Sequence, residues 1–448
     1  MSCIAQSCTG KVGKKIPGIF LRGEKKYLVS FFLLCFLHVS AAVFASCASA
    51  ASPVVEITVN SGRHCRTDAP VSIVLEGAAA ASPRLVETTG NRRLDVPCQI
   101  DKSDPPRLWW ILSGETPAGA VRRYRLLDDP NGPGPAASGD LAEALVTDSF
   151  VQLQVGSAAV LRYHHKAWPP PAGKNGRYRR SAFIHPLWSP AGTVLTDVQP
   201  PDHYHHMGIW MPWTKTVFDG RKIDFWNLGR NEGTVRFKRY DRLESGPVYA
   251  SFTAEHEHVD RSVAGGEKVI LNEKWTVRLY NIGGLKDGYR LWDIESVQRC
   301  AAGKPLKILQ HRYGGLGFRG RRSWQGDNCD YLTSEGKTRV DAHATRARWC
   351  DVYGRTATGI EGVTIFSHPE NFRHPEPMRI WPEGHIFFNF APAQIGDFDV
   401  EPGRDYVFRY RFYVHSGRIT SGDAERIWRD YAQPPTAAIE GIKSSKTK

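Results

Sequence analysis

The sequence predicts an all-β protein, with a small N-terminal β-sandwich followed by a larger unit of packed antiparallel sheets. Three observations predict it. Apolar and polar residues alternate over long stretches, most cleanly at 405–415. There Tyr406, Phe408, Tyr410, Phe412 and Val414 share one face, and Val407, Arg409, Arg411, Tyr413 and His415 the other. Turn formers punctuate the whole 448-residue chain, with 42 Gly and 29 Pro, a content too low for a disordered or collagen-like protein. Helical periodicity is confined to 421–433, opened by Ser421 as N-cap and stopped by Pro434-Pro435.

Taken in order, residues 1–50 read as a signal peptide. Lys25 and Lys26 precede an apolar run, 27–44, that ends in the small residues Ala48, Ser49 and Ala50. A single membrane anchor is the competing reading of that run. Phe44-Ala45-Ser46-Cys47 also approximates a lipobox, so the expected location is periplasmic or secreted, with a lipid-anchored variant through Cys47. Strands follow at 54–59, 71–75, 108–112 and 122–127, and the Pro- and Gly-rich stretch 128–135 breaks all structure. A small sandwich domain is therefore expected over 51–140. Strands resume near Phe150, alternate again at 273–280 and 289–298, and define a second domain over 141–436. Residues 437–448 read as a flexible tail.

Charge narrows the function classes. The formal net charge is +13, of which the first fifty residues carry +5, leaving +8 scattered over the remainder. No basic helix or aromatic–basic interleave appears, which argues against nucleic acid and permits an acidic polysaccharide. Five cysteines lie beyond the leader, Cys65, Cys98, Cys300, Cys329 and Cys350, without CxxC spacing. Pairs such as Cys65–Cys98 or Cys329–Cys350 are possible in an oxidising compartment, and buried free thiols are the alternative. The 13 Trp against 4 Met suit either a broad β core or a carbohydrate cleft.

The densest polar cluster is Asp202-His203-Tyr204-His205-His206, three of the 16 histidines within four positions. Were the segment extended, His203 and His205 would share a face and His206 would look away. Imidazoles serve as acid or base near neutral pH, and two at this spacing can also hold one divalent metal. No HExxH or carboxylate triad completes a ligand set, so the sequence requires no cofactor. His203, His205, His206, His311, His385 and Asp202 are the candidate catalytic residues. Arg312, Trp210, Trp213, Asp224, Asn227, Asn389 and His185 are the candidate substrate-binding residues. The glycines of 314–317 allow close backbone approach beside His311 and Arg312. Asp293 and Glu295 share a strand face about 6.6 Å apart at Cα, compatible with a two-carboxylate site or with an exposed structural pair.

These segments also carry a resemblance. Phe183-Ile184-His185-Pro186, Pro201-Asp202-His203 through Gly208-Ile209-Trp210, Asp224-Phe225-Trp226-Asn227 and Tyr313-Gly314-Gly315-Leu316-Gly317 resemble the PmoA-like family of exported bacterial proteins. So do Ala347-Arg348-Trp349-Cys350-Asp351, His368-Pro369-Glu370-Asn371 and Arg409-Tyr410-Arg411, and the likeness runs from about 150 to 432. The family is labelled "methane oxygenase PmoA" and has no settled activity. The resemblance implies a β-supersandwich similar to the galactose mutarotase fold and a link to carbohydrate. The leading expectation is an exported carbohydrate-active enzyme, a hydrolase, lyase or epimerase using histidine–carboxylate acid–base chemistry. A non-catalytic glycan-binding protein is the second reading, and a metal-dependent oxygenase the third. The expected partner is a sugar or glycan, with no membrane span after the leader.

Overall fold

The computed structural model describes residues 52–76, 80–89, 93–132, 140–282 and 288–440. The expected signal peptide and the Cys47 site lie outside these residues. The protein is all-β, with antiparallel pairing throughout the described strands. Its single α-helix among the described residues, Ser421–Ala432, is capped by Thr420 rather than Ser421, because the Thr420 hydroxyl accepts the Asp423 N–H. Among the described residues no helix is long and apolar enough to cross a membrane.

The N-terminal sandwich packs a five-stranded sheet on a three-stranded one around Val55, Ile57, Leu108, Trp110 and Leu126. One of its strands comes from the far end of the chain. Thr436–Glu440 pairs antiparallel with Ser52–Asn60, so residues 437–440, expected in a flexible tail, are part of a sheet. The sandwich is also tied to the larger unit. Gln99 Oε1 accepts the Val248 and Tyr249 N–H groups, and buried Arg66 donates to buried Asp430 at 3.0 Å. Among the described residues the sandwich and the larger unit accordingly pack as one compact body.

Two eight-stranded sheets dominate the larger unit. One contains the long strands Tyr249–Asp260, Lys268–Tyr280, Tyr289–Cys300 and Asp405–Ser416, whose inward residues Trp275, Trp292, Phe408 and Phe412 build the main core. Asp405–Ser416 is buried along one face and, at Arg411 and His415, on the other as well. Arg411 and His415, on the face opposite Phe412, lie under or beside neighbouring side chains and pair with Asp293 and Asp351. Asp293 is thereby consumed by Arg411 and Tyr280, and Glu295 by Arg409, which makes the expected carboxylate pair a cross-strand ion-pair ladder. The five cysteines of the described residues are free thiols, and all but Cys65 are buried.

The second large sheet positions the site. Its neighbouring strands Ile209–Trp210, Gly317–Arg319, Phe387–Phe390 and Met378–Ile380 run side by side. Gly317 is needed here because a Cβ would stand 2.8 Å from the Trp226 ring and 3.3 Å from that of Trp210. Its absence lets two indoles pack directly against the sheet, 4.8 Å apart between centroids.

Candidate functional site

The segment 200–208 is a tight turn, not an extended strand. The His203 N–H donates to Pro200 C=O at 2.9 Å and the His206 N–H to His203 C=O at 3.0 Å. Gly208 closes the turn at φ +68°, where a Cβ would fall 2.3 Å from the Ile184 carbonyl oxygen. Curling brings all three rings together, so His206 does not look away. His203 stacks on His206 at 4.6 Å between centroids, and His205 stands edge-on to both, at 5.4 and 4.8 Å.

The three imidazoles line a recess open to solvent, with an empty volume of about 390 Å³ including its open mouth. Trp226, Trp381 and Phe387 form its apolar walls; Asn227, Arg312, Tyr313 and Arg379 supply polar groups. Trp381 lies 4.8 Å from the His203 ring, and Phe387 stacks on His206 at 4.8 Å. Asp224 is buried beneath. Its Oδ1 accepts the Trp226 and Asn227 N–H groups, and its Oδ2 the Asn227 amide at 2.7 Å. The Asn227 amide also donates to Tyr313 OH at 3.0 Å. Asp224 is therefore spent on holding the Asn227–Tyr313 corner in shape.

Asp202 is held from the other side. Arg319, with a side chain 0% exposed, donates from Nη2 to both Asp202 oxygens at 2.9 and 2.8 Å, and its guanidinium also sits 5.1 Å from the Trp381 ring centroid. His203 Nδ1 lies 3.1 Å from Asp202 Oδ2. A carboxylate only accepts, which assigns the His203 proton to Nδ1 and leaves Nε2 a free lone pair. Burial pushes the Asp202 carboxyl up, but the Arg319 charge and the bonds from His203 and Arg319 outweigh it and hold the carboxyl below its usual range. Burial lowers His205 to about 4 and lowers His206 well below its ordinary value. Both are neutral at pH 7.

The structure gathers His203, His205, His206, Asn227 and Arg312 at one recess, with Asp202 bonded to His203 and Asp224 and Trp210 packed against its lining. His311 flanks it, edge-on to Tyr313 at 4.4 Å. Four expected site residues are elsewhere. Trp213 is in the core and donates to Gln298 at 2.7 Å, and Asn389 is spent on Gly314, Leu316 and Phe390 backbone groups. His185 is engaged with Thr196 Oγ1 at 2.9 Å. His385 forms a backbone bridge with Gln325 and does not line the recess. Sequence reasoning missed Arg319, Tyr313, Arg379, Trp381 and Phe387 as individual site residues. Tyr313 and Arg319 stand just before and just after the glycines of 314–317, whereas Arg379 and Trp381 carry no local signal. Among the described residues no group of three or more His, Cys, Asp or Glu is arranged to hold a metal, and face-stacked rings such as His203 and His206 do not aim their nitrogens at one point.

Residues 150–429 match the model of a family of unknown function, DUF6807, and the chain belongs to that family. No curated protein matches the chain. Among solved structures it is similar to the heparan sulfate lyase HepC from Pedobacter heparinus, at 10% identity and TM-score 0.32, covering 65% of this chain and 39% of that one. An alpha-mannosidase from Enterococcus faecalis V583 aligns at 11% identity and TM-score 0.39, over 86% of this chain and 46% of that one. A galactose mutarotase related enzyme from Lactobacillus acidophilus aligns at 8% identity and TM-score 0.29, over 61% and 97%. The chain spans less than half the length of the lyase and of the mannosidase.

Proposed function

We propose that this DUF6807 protein is an exported carbohydrate-active enzyme that binds a sugar in the 203–206 recess and uses His203 as its general base. The observation that carries the reading is the Arg319–Asp202–His203 chain opening beside an indole wall. Arg319 fixes Asp202, Asp202 fixes the tautomer and ring plane of His203, and Nε2 is left to take a substrate proton. A histidine titrating near 4, as His205 does, is a poor base at neutral pH; it suits a hydrogen-bonding role towards hydroxyls. Trp381, partly exposed, offers a face for the apolar C–H side of a sugar ring, while Asn227 and Tyr313 offer donors and acceptors for its rim. The basic–apolar–small pattern of residues 1–50 supports export.

The test is titration of wild-type protein with a panel of neutral and anionic oligosaccharides, followed by product analysis. Trp381→Ala should weaken binding about three- to tenfold, the size of an aromatic contact. His203→Gln should bind but not turn over. Binding without turnover in the wild-type protein would assign it to non-catalytic glycan recognition, and no binding to any sugar would refute the proposal.

A further inference from the structure

We infer that the sugar bound in this recess carries an anionic group, a carboxylate or a sulfate, received by Arg312 and Arg379; the inference rests on the recess being a sugar site. The argument is one of unmatched charge. Among the described residues, neither guanidinium is in ion-pair contact with a carboxylate. The two nearby acids are already committed, Asp202 to Arg319 and His203, and Asp224 to Asn227, Thr214 and two backbone N–H groups.

Arg379 is half-buried, and its side-chain contacts are the His343 ring at 3.1 Å and the Ile380 carbonyl at 3.4 Å. Its Nε is buried with no partner. Neither contact can balance a positive charge, because burial and the charges of Arg379 and Arg312 push His343 towards its neutral form. Burial and the charge of Arg312 likewise disfavour the Arg379 cation. Arg312 is exposed at the rim, its guanidinium 5.8 Å from the Tyr313 ring centroid. Lys215 adds its charge on the same side, where it and Arg312 push His311 down once burial has acted.

Two like charges sharing a recess, one of them half-desolvated, raise the free energy of the empty site. An anion placed between them relieves that repulsion and gains charge-assisted hydrogen bonds, for which a planar guanidinium suits both carboxylate and sulfate. The neutral imidazoles of His205 and His206 leave the ring hydroxyls as their natural partners. Recognition is thus divided, with hydroxyls at the histidine side and the acid at the arginine side.

The experiment is calorimetric titration of the full protein with three matched sets of oligosaccharides. These are glucuronate-containing, galacturonate-containing and 6-sulfated galactose chains, each paired with its neutral counterpart after carboxyl reduction or desulfation. The anionic form of one set should bind about ten- to a hundredfold more tightly than its neutral counterpart, the scale of a hydrogen bond to a charged group. That preference should shrink as salt is raised. The uronate and sulfate arms identify which anion is read. Arg312→Gln and Arg379→Gln should each collapse the anionic-to-neutral ratio towards one, and the exposed Arg312 site keeps the test valid if the Arg379 variant folds poorly. Neutral chains bound as tightly as anionic ones, with binding weakened in Trp381→Ala, would overturn this inference and leave the sugar site standing. Binding of no chain would overturn both.

Discussion

Replacing Asp202 by Asn should destabilise the protein by an amount that the burial of its partner sets. Arg319 is 0% exposed in its side chain, and Asp202 is 33% exposed. Asn removes the counter-charge while the guanidinium keeps its desolvation cost. Removing one partner of a fully buried pair costs about 3–5 kcal/mol. Solvent on one side of Asp202 screens the pair, which brings the expectation to about 2–3 kcal/mol. For the unit 51–448, an unfolding entropy of about 2.1 cal/mol/K per residue sums to about 0.8 kcal/mol/K, so the melting temperature should fall by about 3 °C. Scanning calorimetry at pH 7 reads this directly. The double variant Asp202→Asn/Arg319→Met should recover much of the loss, because the stranded cation goes with its partner. The pH dependence has a fixed sign. A carboxyl held below its unfolded value contributes stability above about pH 4, and that contribution disappears as pH falls through the lower folded value. The gap between wild type and Asp202→Asn should therefore close in acid. An unchanged melting temperature at pH 7, or a gap that persists undiminished to pH 2, would refute the account of Arg319 as a buried cation balanced by Asp202.

Gly208→Ala should cost about 3 kcal/mol or more in urea unfolding, since the new Cβ meets the Ile184 carbonyl at 2.3 Å in a left-handed backbone; a loss under about 1 kcal/mol would contradict that geometry. His206→Ala should cost about 2–4 kcal/mol, because its ring, 2% exposed, packs on His203, Trp210 and Phe387, whereas the partly exposed His203→Ala should stay within about 1 kcal/mol. Equal losses in the two variants would show that the stack is not as described. Burial raises the Glu376 carboxyl to about 7, against hydrogen bonds from Ser367, Tyr410 and Asn371. A carboxyl raised in the folded state favours folding below its unfolded value near 4.5 and loses that advantage as pH climbs to 7. Glu376→Gln, a neutral mimic, should therefore gain on wild type by about 3 kcal/mol between pH 4 and 8. Denaturant unfolding across that range would show a flat difference if Glu376 were ordinary.

Local pattern reaches as far as one strand or one helix. Alternation at 405–415 and 273–280 identified strands because a pleated backbone sends successive side chains to opposite faces, and that property needs no neighbour. The same alternation could not show that Arg411 and His415 would be buried as well, since that follows from what covers the second face. The histidine cluster was visible as composition, but its conformation was not. An extended segment would have separated His206 from His203, and the curl that stacks them depends on Gly208 passing against the Ile184 backbone, a contact 24 residues away in sequence. Trp381 and Arg379 had no signal because each gains its role only when Met378–Ile380 joins the sheet beside Phe387–Phe390. Asn389 showed the reverse error, since a polar side chain can be spent on backbone groups as readily as on a ligand. The sequence by itself determined which residues could be strands and which side chains could do acid–base chemistry, because both are properties of short segments. Only the tertiary structure decided which of those side chains meet, because convergence depends on strand order, and strand order is set by long-range packing of the sheets.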